Sequence, residues 1–294
     1  NAPAIYALIC HLERTWGVHF AAGGMGAVVR AMARLLEELG VTLRLNAPVE
    51  EIEIEDGRVH ALRIAGGERL EADLVVCNGD VSWTYQHLIP HRHRPRNSDR
   101  KLLRQHYSMS LFLCYFGTDR TYPDLAHHTL LLGPRYEGLL DDVFRHRRLA
   151  ADMSLYLHAP TRSDPALAPP GCENFYVLSP VPNLAADVHW ETTKARYRDA
   201  VYDRLEQTCL PGLRRHLVTE RLFTPDDFRT EFWSHLGAAF SFEPRLTQSA
   251  YFRGHNVCPD VPNLYFVGAG THPGAGLPGV LSSARVTDSL IPAL

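Results

Sequence analysis

Long apolar runs are missing from this sequence. The longest, "MSLFLCYF" at 109–116, falls far short of the roughly 20 residues that a spanning helix needs, which excludes a helical membrane span. Charge of one sign is not in excess either. Thirty basic against 33 acidic side chains leave a formal net charge of −3, so the basic footprint of a nucleic-acid binder is absent. Cysteine is scarce: Cys10, Cys77, Cys114, Cys172, Cys209 and Cys258, with no two in a C-x-x-C pair. That argues against a thiolate metal cage. A chain of this size needs no disulfide staples, so buried, reduced thiols of a cytosolic protein are expected. There is no H-E-x-x-H and no G-x-S-x-G, which removes support for a zincin and for an esterase nucleophile. No repeat and no low-complexity segment interrupts the chain. Its opening lacks an initiator Met and a charged-then-apolar leader, and Asn1-Ala2-Pro3 runs straight into the half-apolar "AIYALICHLERTWGVHF". The expectation is a fragment without a signal peptide whose N-terminal portion is missing.

What is present suits an ordinary globular protein: 294 residues, 45 % apolar and 21 % charged, enough for one large domain or two ordinary ones, each with a core. "GGMGAVVRAMARLLEELG" reads as a helix, with Val28, Met32, Leu35, Leu36 and Leu39 at helical spacing and Gly40 as its stop. "VTLRL" alternates and predicts a strand at 41–45. Asp56-Gly57 between two apolar-patterned runs predicts a hairpin. "LVVC", 74–77, is a continuous apolar run, as in a strand buried on both faces. "PHRHRPRNSDRK", 90–101, is basic and broken by prolines, a predicted domain junction. "SLFLCYFG", "HTLLLG", "MSLYLHAP" and "NFYVLSPVP" predict four strands of an antiparallel sheet. "ETTKARYRDAVYDRLEQTCLPG" predicts a helix with Tyr197, Val201 and Leu205 on one face. "FTPDDF" predicts another, capped by Thr224 with Pro225 at its first position.

"GAGTHPGAGLPGV", 268–280, contains G-x-G-x-x-G, the dinucleotide fingerprint, but the context is wrong. The preceding strand ends at Val267, and only 15 residues follow Gly279, too few for the second strand and its ribose-binding acid. The real object is longer: a strand at 264–267, a Gly/Pro loop, then a helix from about Gly279. The strand is expected to share a sheet with 74–77. Gly268, Gly270, Gly274, Gly276 and Gly279 let backbone N–H groups approach a ligand, Pro273 and Pro278 stiffen the loop, and the helix start favours a group that becomes negative.

"NLYFVGAGTHPGAGLPGVLSSA" resembles the C-terminal flavin motif of bacterial phytoene desaturases, the carotenoid-forming members of the flavin amine oxidase superfamily. "TWGVHFAAGGMGAVVRAM", "NAPVEEI", "ADLVVCNGD", "LAHHTLLLGPRY", "DMSLYLHAPTRSDPALAPPGCENFYVLSPVP", "FTPDDF" and "LTQSAYFR" agree with it in order, so the similarity runs over essentially the whole chain. The resemblance implies an α/β fold (α+β overall). Its discontinuous FAD-binding, Rossmann-like domain is of the glutathione-reductase/amine-oxidase type, here without its N-terminal β-α-β unit. A substrate domain of antiparallel sheet plus helices is inserted in it. Residues 1–85 and 236–294 would be segments of the FAD domain, and 86–235 the substrate and membrane-facing domain.

Carried over, Val49 would meet the adenine end of FAD. Gly268, Ala269, Gly270 and Thr271 would lie along the pyrophosphate and ribityl chain, and Gly279 and Val280 would face the isoalloxazine. Amine oxidases carry Glu where Ala269 stands, so this hold leans on backbone. His272 is a candidate for a catalytic role. Trp16 and Phe20 are candidates to line a substrate tunnel, the alternative being an aromatic cluster of the core. Arg253 and His255 are expected to approach the cofactor domain. The 16 histidines, including His87, His91 and His93 and the pair His127-His128, show no metal motif, and no metal is expected. The implied reaction is desaturation of phytoene or a related polyene, in a cytoplasmic enzyme peripheral to the inner membrane. The basic segment with Arg92, Arg94, Arg96, Arg100, Lys101 and Arg104 is the candidate lipid contact. The chain alone is expected to bind flavin weakly or not at all and to be inactive. Two alternatives are an amine-oxidizing relative and a prenyl-binding protein like the Rab GDP-dissociation inhibitors; neither carries this glycine loop.

Overall fold

Asp56 and Gly57 both adopt positive φ, 48° and 75°, the type I′ pattern that matches the twist of a two-residue hairpin. The computed structural model in which this turn lies describes residues 7–292. In chain order the elements are α1 (Ala7–Trp16), α2 (Gly24–Glu38), β1 (Val49–Glu55), β2 (Arg58–Ile64), β3 (Arg69–Glu71), β4 (Val75–Cys77), α3 (Val81–His87), α4 (Asp99–Leu102), β5 (Ser110–Thr118), β6 (His128–Leu131), α5 (Tyr136–Asp141), β7 (Leu155–His158), β8 (Glu173–Val181), α6 (Trp190–Thr208), α7 (Leu213–His216), β9 (Leu217–Phe223), α8 (Pro225–Glu231), β10 (Leu264–Phe266) and α9 (Leu277–Leu290). No described helix is long and apolar enough to cross a membrane. The chain forms two compact units, one of 45–108 and 227 onward, the other of 9–44 and 109–226.

In the first unit, β1, β2 and β3 make an antiparallel sheet, while β10 pairs in parallel with β4, Leu264 opposite Val75 and Phe266 opposite Cys77. The expected union of these two segments in one sheet is therefore found. Ile52, Ile54 and Val59 point into one core with Val81, Tyr85, Leu264 and Phe266, as alternation in β1 and β2 requires. Asn263 ties the sheets together. Its Oδ1 accepts from Val59 N at 2.8 Å, and its Nδ2 donates to Val59 O at 2.9 Å and Asp73 O at 2.8 Å. Asn263→Leu removes the hydrogen bonds to both backbone groups of the buried Val59 and one to Asp73 O, and is expected to cost about 2–3 kcal/mol. A urea-unfolding midpoint indistinguishable from wild type would refute this.

The second unit is built on a five-stranded antiparallel sheet, order β6-β7-β8-β5-β9. Phe112 and Cys114 of β5, Leu155 and Leu157 of β7 and Phe175 and Val177 of β8 face Trp190, Tyr197, Val201 and Leu205 of α6. The predicted four strands and the helix face are all there. The fifth strand, β9, was not anticipated, because "LVTERLF" is mostly exposed along its length and presents no apolar face to the eye. It forms by pairing with β5.

Several expectations fail. The predicted strand at 41–45 forms no ladder, and Val41, Leu43 and Leu45 are exposed; a strand exists only where another supplies its hydrogen bonds. Helix α2 forms and ends in a Schellman turn, Val41 N to Leu36 O and Gly40 N to Glu37 O, yet none of its residues is buried. "LVVC" is not covered on both faces: β4 lies in a two-stranded sheet with Val76 exposed. The basic segment 90–101 does not stand apart as a solvated junction but belongs to the first unit. Arg94 is 3 % exposed, donates to Ile89 O and Asn97 O and pairs with Asp99 at 2.8 Å. Arg96 donates its backbone N–H to Asp260. All six cysteines are free, but only Cys114 and Cys258 are buried, and Cys10 is exposed.

Candidate functional site

The glycine loop hangs between β10 and α9. Val267 extends the β4–β10 pairing by donating to Cys77 O at 3.0 Å, and Gly268 N then donates to Ser283 Oγ at 2.8 Å. Thr271 closes the first turn of the loop, its hydroxyl donating to Gly268 O at 3.0 Å. His272 N donates to Gly254 O at 2.9 Å, and the His272–Pro273 peptide is cis. Helix α9 begins at Leu277 after Gly276, with Pro278 in its first turn. Val280 N already donates to Gly276 O at 2.8 Å. The N–H groups of Leu277 and Gly279 precede that bond and have no partner within the helix.

The loop's residues split into two groups. Gly270 is a packing glycine: a Cβ there would sit 2.7 Å from Val81 Cγ2 and 2.9 Å from Ser241 Oγ. Gly268 and Thr271 are likewise buried. The start of α9 is different. Gly276 and Leu277 are exposed and Gly279 and Val280 half-buried. A Cβ on Gly276 would meet nothing within 4 Å, whereas one on Gly279 would lie 2.6 Å from the backbone oxygen of Gly274. Ala269 is half-buried, its carbonyl taken by Arg253.

Two residues hold this loop in shape. Arg253 Nε donates to Ala269 O at 2.7 Å and its Nη2 to Phe240 O at 2.7 Å. Asn256 Nδ2 lies 3.2 Å from the carbonyls of Phe266 and His272 and 3.1 Å from Thr287 Oγ1, so one amide touches strand, loop and helix. Arg253 was anticipated near the site. Asn256 was not, since nothing in "GHNVCP" distinguishes a bonded Asn from a turn Asn. Asp80, another unanticipated residue, caps α3 by accepting from Trp83 N at 2.9 Å. Burial pushes its carboxyl above the usual range against the pull of its hydrogen bonds. Burial likewise raises the Cys77 thiol, which makes it a poor nucleophile.

The remaining expected residues are scattered. Val49 opens β1 opposite Ile64 and is half-buried. His272 is half-buried, with an Nδ1 that is buried and has no hydrogen-bond partner. His255 is exposed, its ring 6.0 Å from that of Tyr251. Trp16, 69 % exposed at the end of α1, lines no core. Phe20, in the second unit, sets its ring edge-on to His127 at 4.7 Å.

Residues 2–287 match the family described as flavin containing amine oxidoreductase. The chain belongs to that family. Within it, a lycopene-forming phytoene desaturase of Pseudescherichia vulneris is 50 % identical over 292 residues, 99 % of this chain and 59 % of that protein. A neurosporene-forming phytoene desaturase of Cereibacter sphaeroides is 46 % identical over 99 % of this chain and 57 % of its own length. The chain thus spans less than two thirds of these relatives. An oxidoreductase from Methanosarcina mazei shares the fold at 18 % identity and a TM-score of 0.65, with 97 % of this chain and 58 % of that one covered. Putrescine oxidase bound to putrescine does so at 14 % identity and a TM-score of 0.55, covering 92 % and 53 %. The α/β flavoprotein-type fold expected from the sequence agrees with this family and with the fold of these two oxidoreductase structures.

Proposed function

We propose that this chain is part of an FAD-dependent carotenoid desaturase that removes two hydrogens from a carbon–carbon single bond of phytoene or a related polyene. The observation that carries this reading is the similarity to phytoene desaturases from end to end, 45–50 % identical in five of them. The likeness to putrescine oxidase is one of fold alone, so amine oxidation is not taken up.

The residues present fit a flavin. Unpaired N–H groups and the positive end of a 14-residue helix gather at Gly276–Gly279, where open space adjoins Gly276. Such a start stabilises an atom that gains negative charge. Bound flavin supplies the acceptor for a hydride equivalent. The chain's own task is to hold and orient. On this reading Gly279 and Val280 adjoin the isoalloxazine, and Gly268, Ala269, Gly270 and Thr271 follow the pyrophosphate and ribityl chain. The burial of Gly268, Gly270 and Thr271 assigns them to loop shape more than to open contact. Val49 belongs at the adenine end. Trp16 and Phe20 remain candidates for the polyene path, and His272 for moving a proton through its unpartnered Nδ1. The division 1–85, 86–235 and 236–294 belongs to the same reading, whereas the compact units group 9–44 with 109–226 and 86–108 with 45–85.

A polyene dissolves in bilayers, so a cytoplasmic, peripheral encounter with the membrane is part of the proposal. Its contact is the basic segment around Arg92, Arg100 and Arg104, Arg94 being spent inside the fold.

The test is the full-length protein, assayed for bound FAD and for conversion of phytoene in liposomes to a longer polyene. Absence of flavin, or flavin without any change in the phytoene spectrum, would overturn the reading. Gly279→Ala pushes a methyl group against Gly274 O and is expected to weaken flavin binding about tenfold or more, some 1.4 kcal/mol. Fluorescence titration with FAD reads this directly, and an unchanged affinity would remove Gly279 from the site.

A further inference from the structure

The second unit brings together three histidines that are 31 residues apart at most in sequence. His128 opens β6 and stands in register with His158 at the end of β7. His127 precedes β6, outside the pleat, so it escapes the alternation that would turn neighbours to opposite faces. Its carbonyl accepts from Ala159 N at 2.9 Å, which fixes it beside the end of β7. The outcome is that Nε2 of His127 and Nε2 of His158 face each other at 2.8 Å. One ring nitrogen from each of His127, His128 and His158 lies within 4.8 Å of the others, and this is the single such grouping of His, Cys, Asp or Glu side chains among the described residues.

We propose that His127, His128 and His158 form a binding site for one divalent transition-metal ion of the zinc type, with a fourth position open to water. Three features support it beyond proximity. First, the distance is close to what an ion needs. Two imidazole nitrogens bound at about 2.0–2.1 Å in a tetrahedron stand about 3.3 Å apart, so His127 and His158 need part by only about half an ångström, and a swing of the exposed His128 supplies the rest. Second, two of the three outer nitrogens are held, while that of His158 is buried without a partner. His127 Nδ1 meets Ser163 Oγ, and His128 Nδ1 meets Tyr156 OH at 2.7 Å, the outer-shell arrangement that aims Nε2 at a metal. Third, the cluster is walled by aromatic rings: the ring centroid of Phe20 lies 4.7 Å from that of His127, and that of Tyr176 lies 4.7 Å from that of His158. Imidazole ligands suit zinc, copper, nickel and iron rather than magnesium or calcium.

The full chain, purified without a polyhistidine tag and stripped with EDTA, is titrated with Co2+ alone. The expected result is saturation at one equivalent, with the intense visible absorbance of four- or five-coordinate cobalt, abolished by Zn2+. His158→Gln and His127→Gln are expected to lower the affinity by more than the roughly 10–100-fold that loss of an outer partner costs. Tyr156→Phe, which removes only a hydroxyl, is expected to lower it within that range while leaving the melting temperature of the metal-free protein unchanged. His91→Gln, outside the cluster, should have no effect. Non-saturating cobalt uptake, a weak six-coordinate spectrum, or equal affinity in wild type, His158→Gln and Tyr156→Phe would each overturn the proposal. Tyr156→Phe keeps the test decisive should a histidine variant fail to fold.

Discussion

Arg253→Ala is expected to lower the stability of the full chain by roughly 3–5 kcal/mol. The guanidinium is 3 % exposed and grips backbone on both sides of the site. Its donors reach Ala269 O and Phe240 O at 2.7 Å, Gln248 O at 3.3 Å and Phe242 O at 3.4 Å. Deleting it leaves the buried carbonyls of Phe242 and Gln248 unmet, each costing about 1–3 kcal/mol, and removes the two shortest, part-buried bonds to Ala269 O and Phe240 O as well. Against a total stability of about 5–15 kcal/mol that is a large share. Lysine does not substitute: one ammonium cannot span carbonyls that a planar fork serves together, so Arg253→Lys is expected to show at least half the loss. Urea unfolding measures both. The clamp is disproved by an Arg253→Ala midpoint within about 1 kcal/mol of wild type at unchanged slope. Because the grip includes Ala269, faster amide exchange at Thr271 and His272 should accompany the loss.

Trp190→Ala is expected to cost a comparable amount, about 3–5 kcal/mol, in the other unit. Trp190 starts α6, is 2 % exposed, stacks on Phe112 with centroids 5.5 Å apart and meets the edge of Tyr197 at 5.9 Å. It pins the helix to β5, and alanine leaves a cavity that the rigid sheet beneath cannot close. Trp190→Phe, which keeps an aromatic ring, should lose markedly less. Calorimetry of the two variants separates the outcomes. Equal melting temperatures for wild type and Trp190→Ala would show that the sheet–helix core does not depend on this ring.

The sequence by itself determined what depends on neighbours in the chain. Asp56-Gly57 made its hairpin, Gly40 its helix stop, and Thr224-Pro225 the start of α8, because each choice rests on the φ preferences and hydrogen bonds of a few adjacent residues. Apolar patterning marked the two strands on either side of the Asp56-Gly57 turn and the run that became β8. The glycine loop was legible as one object, strand to helix, since its Gly and Pro positions are local. Its family followed from the same string of residues.

The tertiary structure alone decided everything that joins distant segments. Whether "LVVC" is a central or an outer strand depends on which strand lies beside it, and β10 arrives from nearly 190 residues away. "VTLRL" alternates as a strand should, yet no ladder forms there, while charged "LVTERLF" became one because β5 offers it an edge. Arg253 and Asn256 act by reaching backbone carbonyls, which carry no sequence signature. His158 joined His127 and His128 only through the β6–β7 register. Pairing energy is gained in three dimensions between groups the chain order does not connect, so spacing along the sequence announces the parts of this protein and stays silent on which of them meet.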